Sequence, residues 1–381
     1  MPDATEISPA ELLGRLRNGF EPLLLDVRNP DDYASWRMDF IRDQVNIPYI
    51  DFIETPDESA GKVPQGREIV ALCAKGGASA YVANILKDKG ITAVNVAGGM
   101  KAWGNLYVNT PVWAGNGAEV IQFNRVGKGC LSYLLVSGAE AVVIDPARHV
   151  EQYLAAAKER GVKIKYVFDT HLHADHISGG HSLAQVAGAE YRAGSADMDL
   201  ATTPCLPAGD GEVYTIGGMT IEVVSMASPG HTPGSTCFLF ADKLLFTGDT
   251  LFLSSMGRPD LGGHASEWVY NLWDTIRKFE KLGDDVLIAP SHTTGTMEMD
   301  ERWRVIKPLG ALRKTNPLLT IGDKERFAAK ILSCLPAEPE DYQNMRHANL
   351  GQVEPDEETK ERWELGRNRC AVESAAEARH R

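Results

Sequence analysis

The sequence runs to 381 residues, 43% hydrophobic and 24% charged. That composition argues against a disordered or fibrous chain, and the length favours two domains. With 39 basic against 52 acidic side chains the net charge is −13, so a broad basic surface for nucleic acid is not expected. The six cysteines include no Cys-x-x-Cys pair and no dense disulfide framework. The start, Met1-Pro2-Asp3-Ala4-Thr5-Glu6, is acidic and not apolar, unlike a signal peptide. No run approaches the ~20 apolar residues of a membrane span. The expectation is a cytoplasmic protein with free thiols and no membrane or nucleic-acid partner.

Along the chain, Pro22–Val27 reads as a buried parallel strand, and Pro30 opens a helix with Asn29 as candidate N-cap. Glu68–Leu72 is a second buried strand, followed by the loop Cys73-Ala74-Lys75-Gly76-Gly77-Ala78-Ser79 and a helix over Ala80–Lys87. Ala93–Val96 is a strand leading into Gly98-Gly99-Met100. Asn-Thr-Pro and Gly-Asn-Gly interrupt the periodicity over 109–117, which predicts a linker. Beyond it, Ser132–Val136 and Ala141–Ile144 form a hairpin pattern; Val150–Arg160 is helical and Ile164–Phe168 a strand. Val213–Ile216 pairs with Thr220–Val224 through Gly217-Gly218, and Thr236–Phe240 with Lys243–Phe246 through Ala241-Asp242. Ser266–Lys281 is a long amphipathic helix, and the last thirty residues, rich in Glu and Arg, read as a helical extension or a frayed tail. The first part is thus a small α/β unit with a parallel sheet, the second two sheets covered by helices.

Two places carry chemistry. Cys73 ends a strand ahead of a glycine loop and a helix; such a loop's N–H groups favour a thiolate and form a nest for an anionic sulfur species. Gly76 and Gly77 supply the nest, and Lys75 adds charge. The second place is His171-Leu172-His173-Ala174-Asp175-His176, directly after an apolar strand. His231, Asp249 and His292 each follow later strands. Seven imidazole and carboxylate groups on loops at one sheet edge suit zinc, iron or manganese. The His-x-His pair can turn both rings to one ion if the segment is extended. The remaining cysteines, Cys130, Cys205, Cys237, Cys334 and Cys370, show no setting comparable to that of Cys73, and Cys237 reads as core.

The ordered set His171, His173, Asp175, His176, His231, Asp249 and His292, over about residues 118–300, resembles the metal signature of the metallo-β-lactamase superfamily, whose fold is an αββα sandwich. Ala174-Asp175-His176-Ile177-Ser178-Gly179-Gly180, Gly230-His231-Thr232-Pro233-Gly234 and Thr247–Phe252 resemble the persulfide dioxygenases within it. So do Gly257-Arg258-Pro259-Asp260-Leu261 and, further on, Leu335-Pro336, Tyr342, Met345, Asn349 and Gly351. That resemblance implies one Fe(II) per chain, held by His171, His231 and Asp249. His173, Asp175, His176 and His292 would orient ligands or move protons. Alternatively, Asp175, His176 and His292 would hold a second metal, with Asp249 bridging. It also implies that Arg258 holds the carboxylate of a thiol substrate. In one departure, Ser291-His292-Thr293-Thr294-Gly295 lacks the aromatic residue that glutathione-using relatives tend to carry there.

Residues 5–105 resemble a rhodanese (sulfurtransferase) domain through Leu25-Asp26-Val27-Arg28, Asp32-Tyr33, Val45-Asn46-Ile47-Pro48, Cys73-Ala74-Lys75-Gly76 and Gly98–Trp103. The resemblance implies that Cys73 carries a persulfide. Ala78 stands where many rhodaneses have arginine, and Arg37-Met38-Asp39-Phe40-Ile41 replaces their Gly-His-Ile segment. The expected layout is a rhodanese-like domain at 1–108, the linker, and a metallo-β-lactamase-fold domain with a C-terminal helical extension at 118–381. The expected function is oxidation of a low-molecular-weight thiol persulfide by O2 to sulfite and thiol, with Cys73 transferring sulfane sulfur. A homo-oligomer is compatible with it. The competitors are a zinc-dependent thioesterase of the glyoxalase II kind, with Asp175 as proton acceptor, and a sulfur-binding module whose metal domain is structural.

Overall fold

The computed structural model describes residues 5–217, 219–222 and 227–372. Residues 1–4, 218, 223–226 and 373–381 lie outside the described residues, and with them the expected turn position Gly218, the expected strand end at Val223 and Val224 and part of the Glu- and Arg-rich tail. The chain forms two compact units. One is Met1–Tyr107 with the short returns Arg125–Lys128 and Leu365–Arg367; the other is Val108–Asn124, Gly129–Glu364 and Asn368–Arg381. Among the described residues, no helix is long and apolar enough to cross a membrane.

The first unit holds a wholly parallel five-stranded sheet, in the order Glu6–Ile7, Ala93–Val96, Ile69–Leu72, Leu23–Asp26, Gln44–Asn46. Leu23–Asp26 and Ile69–Leu72 are buried throughout, as central strands of a covered parallel sheet are. Buried Asp26 is matched by Arg28, whose Nη2 donates to Oδ2 at 2.6 Å and whose Nε donates to Oδ1 at 3.0 Å, so neither charge is stranded. Asn29 stands at the helix N-cap of Pro30–Ser35 but makes no capping bond through its side chain. The helix after the cysteine loop is Gly77–Asp88.

The second unit stacks two sheets. Seven strands run in the order Leu206–Pro207, Glu190–Ala193, Lys163–Phe168, Glu140–Ile144, Cys130–Ser137, Ala118–Arg125, Tyr107–Gly115. Six run in the order Val213–Ile216, Met219–Glu222, Phe238–Phe240, Leu244–Gly248, Leu287–Pro290, Lys307–Pro308. Rings interlock between the sheets: Phe168 meets Phe238 at 4.6 Å and Tyr133 meets Phe246 at 4.8 Å, within the range of favourable aromatic pairs. Helix Ala265–Lys278 buries Trp268, Val269, Leu272, Trp273 and Ile276, the stripe an amphipathic helix presents to a core. These are the layers of the expected sandwich.

The segment 109–117 corrects the linker expectation. Most of it belongs to the strand Tyr107–Gly115, outermost in its sheet. An edge tolerates Pro111, which has no N–H to donate, and Val108, Thr110, Val112 and Trp113 favour extended backbone. Only Asn116-Gly117, with φ of 52° and 76°, makes a turn, of the kind that joins two hairpin strands.

Candidate functional site

Two parallel strand pairs aim the ligand loops at one place. Lys163–Phe168 runs beside Glu140–Ile144 with Phe168 opposite Ile144. In the other sheet Leu244–Gly248 runs beside Leu287–Pro290 with Gly248 opposite Pro290. Each pair ends at one level, so Asp145, the 169–176 loop, Asp249 and His292 emerge together. Gly248 has φ of 54°, and a Cβ there would lie 2.5 Å from Thr170 Oγ1. Only glycine lets the Asp249 turn close onto the His171 loop.

Three atoms converge without partners. His171 Nε2 lies 3.6 Å and His231 Nε2 3.5 Å from Asp249 Oδ2; all three atoms are buried and have no hydrogen-bond partner. The far side of each group is fixed. His231 Nδ1 meets the Arg258 carbonyl at 2.7 Å, so it donates and leaves the Nε2 lone pair facing inward. Thr170 Oγ1 donates to Asp145 Oδ2 at 2.9 Å and accepts from His171 Nδ1 at 2.9 Å. Asp249 Oδ1 takes His292 Nδ1 at 2.6 Å. Burial holds His231 below and His171 well below the ordinary imidazole range, which keeps them in the neutral form that binds metal. Buried orphan acceptors are costly unless a cation sits among them, and two imidazoles with one carboxylate fit a divalent transition metal.

Of the other four groups, His292 links Asp249 to Asp175. Asp175 Oδ1 lies 3.0 Å from His176 Nδ1, and Asp175 Oδ2 lies 2.9 Å from His292 Nε2. Burial alone would raise the Asp175 pKa, but His292 and His176 outweigh it and hold the carboxyl well below the usual range. His173 turns away, its Nε2 at 3.2 Å from Asp145 Oδ1 and 3.9 Å from Asp169 Oδ1. The His-x-His spacing allows both rings to face one ion in an extended segment, and here they do not. The segment is a bend, not a strand, so the two-residue alternation does not apply, and two buried carboxylates attract the second ring.

Several residues build this frame: sequence reasoning missed Asp145 and Asp197, and named Asn349 only within the tail resemblance. Asp145 accepts from Thr170 N at 2.7 Å and from Ser291 Oγ. Asp197 accepts from Leu172 N at 2.8 Å, Thr232 Oγ1 at 2.6 Å and Gly234 N at 2.7 Å, tying the His171 loop to the His231 loop. Asn349 Nδ2 donates to the carbonyls of His173 and His176 at 2.8 and 2.9 Å. Cys130 Sγ lies 3.2 Å from Asp175 Oδ2 and forms a compact group with Asp175, His176 and His292. Cys370 forms another with Asp249 and His292. Both thiols have a setting the sequence reading denied them. Cys130 could have been suspected as the first residue of a strand, and it pairs with His292 across the sheet edge. Nothing local to Cys370 signals its position.

Arg258 also departs from expectation. It is fully buried. Its Nε and Nη2 grip Asp260 at 2.7 Å each, Nη2 also reaches Pro336 O at 2.6 Å, and Nη1 reaches Ala337 O and Arg369 O at 3.4 and 3.3 Å. Its donors are engaged within the chain, leaving none for a substrate carboxylate in this arrangement.

In the first unit, buried Cys73 accepts at Sγ from Gly76 N at 3.0 Å. Ser79 Oγ lies 3.1 Å from Sγ but 2.7 Å from Asn95 Oδ1. Gly76 has φ of 90°, and its Cβ would meet Gly98 N at 2.8 Å. Gly77 begins the helix, and Lys75 is exposed. Met100 N and Lys101 N donate to the carbonyls of Cys73 and Ala74 at 2.9 and 3.0 Å, so the Gly98-Gly99 turn braces the loop.

Comparison with known proteins agrees with both halves. The metallo-beta-lactamase superfamily matches residues 125–292 and the rhodanese-like domain matches residues 8–106. The chain is 30% identical over 223 residues to persulfide dioxygenase ETHE1, mitochondrial, of Bos taurus, covering 55% of this chain and 80% of that protein. It is 36% identical over 168 residues to hydroxyacylglutathione hydrolase of Anaeromyxobacter dehalogenans, covering 44% of this chain and 63% of that protein. A solved metallo-beta-lactamase from Staphylococcus aureus superposes with a TM-score of 0.56 at 28% identity, covering 62% of this chain and 73% of that one.

Proposed function

We propose that this chain, which belongs to the metallo-β-lactamase superfamily and carries a rhodanese-like domain ahead of that fold, is a persulfide dioxygenase. The reading has a low-molecular-weight thiol persulfide oxidised by O2 to sulfite and thiol. The observation that carries it is the buried group of His171, His231 and Asp249, whose ligand atoms lie within 4.8 Å of one another. His171, His231 and Asp249 leave three orphan atoms facing one point, while His173 is drawn off to Asp145 and Asp169. Two histidines and one carboxylate would hold a single Fe(II), which supplies open positions for O2 and a sulfur ligand when bound. Arg258 O and Thr170 fix the ring orientation of the two histidines, and His292 fixes the carboxylate. The burial of all of these groups excludes bulk water from the reacting sulfur. In the rhodanese-like domain, Cys73 carries a sulfane sulfur and hands it to a thiol. The Cys73 S–S bond breaks, a new S–S bond forms on the acceptor, and the acceptor's proton returns to Cys73.

A second reading rests on a specific observation too. The compact group Cys130, Asp175, His176 and His292 would complete a dinuclear centre, and the likeness to a hydroxyacylglutathione hydrolase favours a zinc hydrolase. Anaerobic reconstitution with Fe(II) and, in parallel, Zn(II) separates the two. Uptake of O2 with sulfite formation from glutathione persulfide, in the iron sample alone, is expected. Thioester hydrolysis in the zinc sample, with no O2 uptake in either, would replace the dioxygenase reading.

A further inference from the structure

We propose that Ser79 is a catalytic hydroxyl, donating to the Cys73 sulfur as that sulfur parts from the one it transfers, and that Asn95, aimed by Glu6, competes for the same hydrogen. The proposal rests on the sulfur-transfer reading of Cys73 above and deepens it.

The residues come together from separate elements of the first unit. Glu6 and Asn95 stand opposite each other on the neighbouring parallel strands Glu6–Ile7 and Ala93–Val96, so both side chains leave the same face of the sheet. Ser79 lies in the first turn of helix Gly77–Asp88, directly after the Cys73 loop. Ser79 and Asn95 are fully buried, and exposed Glu6 ends the row at the surface.

Asn95 Nδ2 donates to Glu6 Oε1 at 2.7 Å. A carboxylate only accepts, so it holds the amide nitrogen on its own side and turns Asn95 Oδ1 inward. That oxygen lies 2.7 Å from Ser79 Oγ. The same Oγ lies 3.1 Å from Cys73 Sγ and 3.2 Å from the Gly76 carbonyl. A hydroxyl has one hydrogen to give, so these acceptors compete for it. A neutral thiol is a weak acceptor, whereas an anionic sulfur gains a charge-assisted bond. The hydrogen therefore swings to Cys73 when negative charge collects there.

That charge arises in the transfer. An acceptor thiolate R-S⁻ attacks the outer sulfur of Cys73-S-SH. The new S–S bond forms on R, the Cys73 S–S bond breaks, and its electron pair stays on Sγ. The products, Cys73-S⁻ and R-S-SH, balance atoms and charge. The leaving sulfur then has Gly76 N at 3.0 Å and the Ser79 hydroxyl as donors. It gains the hydroxyl only by drawing the hydrogen from Asn95, so the idle sulfur is held back and the reacting one is assisted.

The test uses the full chain as wild type, Ser79→Ala, Asn95→Leu and the double variant. Alkylation of Cys73 by iodoacetamide at neutral pH, followed on its peptide by mass spectrometry, reads the anionic sulfur without any sulfur donor. Sulfur transfer from thiosulfate to cyanide reads the leaving step. Ser79→Ala should slow both by about 10–100-fold, the scale of one hydrogen bond to a charged group. Asn95→Leu, close in shape, should speed alkylation by about 2–10-fold, the scale of one neutral hydrogen bond, because the hydroxyl loses its rival acceptor. Damage to the fold would slow it instead. In the double variant the gain should vanish and the Ser79→Ala rate remain, since the effect of Asn95 passes through Ser79. Glu6→Ala, at an exposed position, frees the Asn95 amide to turn and should give a smaller gain, which keeps the test standing if Asn95→Leu does not fold. Wild-type alkylation in Ser79→Ala would overturn the role of the hydroxyl. No gain in either Asn95→Leu or Glu6→Ala, or an equal change with and without Ser79, would overturn the competition. If the expected order of alkylation rates holds but neither thiosulfate nor glutathione persulfide leaves sulfur on Cys73, the sulfur-transfer reading falls while the hydroxyl's hold on the Cys73 anion stands.

Discussion

The Cys73 loop and the metal centre are built alike and braced differently. Both sit where a parallel strand ends and its loop begins. At Cys73 the sulfur meets one N–H at 3.0 Å and one hydroxyl at 3.1 Å. At the metal centre Asp145 and Asp197 between them anchor Thr170, Leu172, Thr232, Gly234 and Ser291. A carrier must be approached, react and let go, so few contacts suffice. Ligands must not move, so each is fixed from behind. The contrast shows that the loop position gives a site its place, and the bracing gives it its kind.

The largest expected effects separate the two regions. Asp249→Ala should abolish iron retention and O2 uptake, read by metal analysis and an oxygen electrode. Cys73→Ser should abolish sulfur transfer from thiosulfate to cyanide. A variant of either residue that lost both activities would break the distinction. A smaller effect tests the bracing. Asp145→Asn keeps the shape but loses charge opposite His173, and should weaken metal affinity about 10–100-fold, measured by competition with a chelating dye. Unchanged affinity would mean that the frame is only structural. The smallest effect is expected at Gly99, where φ is 58° and a Cβ would lie 2.2 Å from Cys73 O. Gly99→Ala should cost roughly 1–3 kcal/mol in denaturant unfolding of the first unit and reduce sulfur transfer. A neutral substitution would show that the Cys73 loop needs no brace at all.

Much of this was legible in the sequence because local pattern and position coincide. Apolar runs such as Ile69–Leu72 and Leu244–Phe246 mark strands, and the reactive groups follow them directly, so Cys73, His171, Asp249 and His292 could be placed on loops at strand ends. The Ala265–Lys278 stripe could be read to within a residue at its start. What was illegible depends on pairing across the fold. Tyr107–Gly115 looks like a linker until its edge position excuses Pro111. His173 has no visible partner in the sequence until Asp145 and Asp169 arrive from other strand ends. Arg258 looks free until the chain near residues 336 and 369 surrounds it. Cys130 gains meaning beside Asp175, His176 and His292, and Cys370 beside Asp249 and His292.

Asp197 touches both histidine loops at once, through Leu172 on one side and Thr232 and Gly234 on the other. The conformational entropy of ordering those loops is therefore lost when the polypeptide folds, and little remains to be lost when an ion arrives. A chain stripped of its ion keeps the cradle in shape, ready for reloading without refolding.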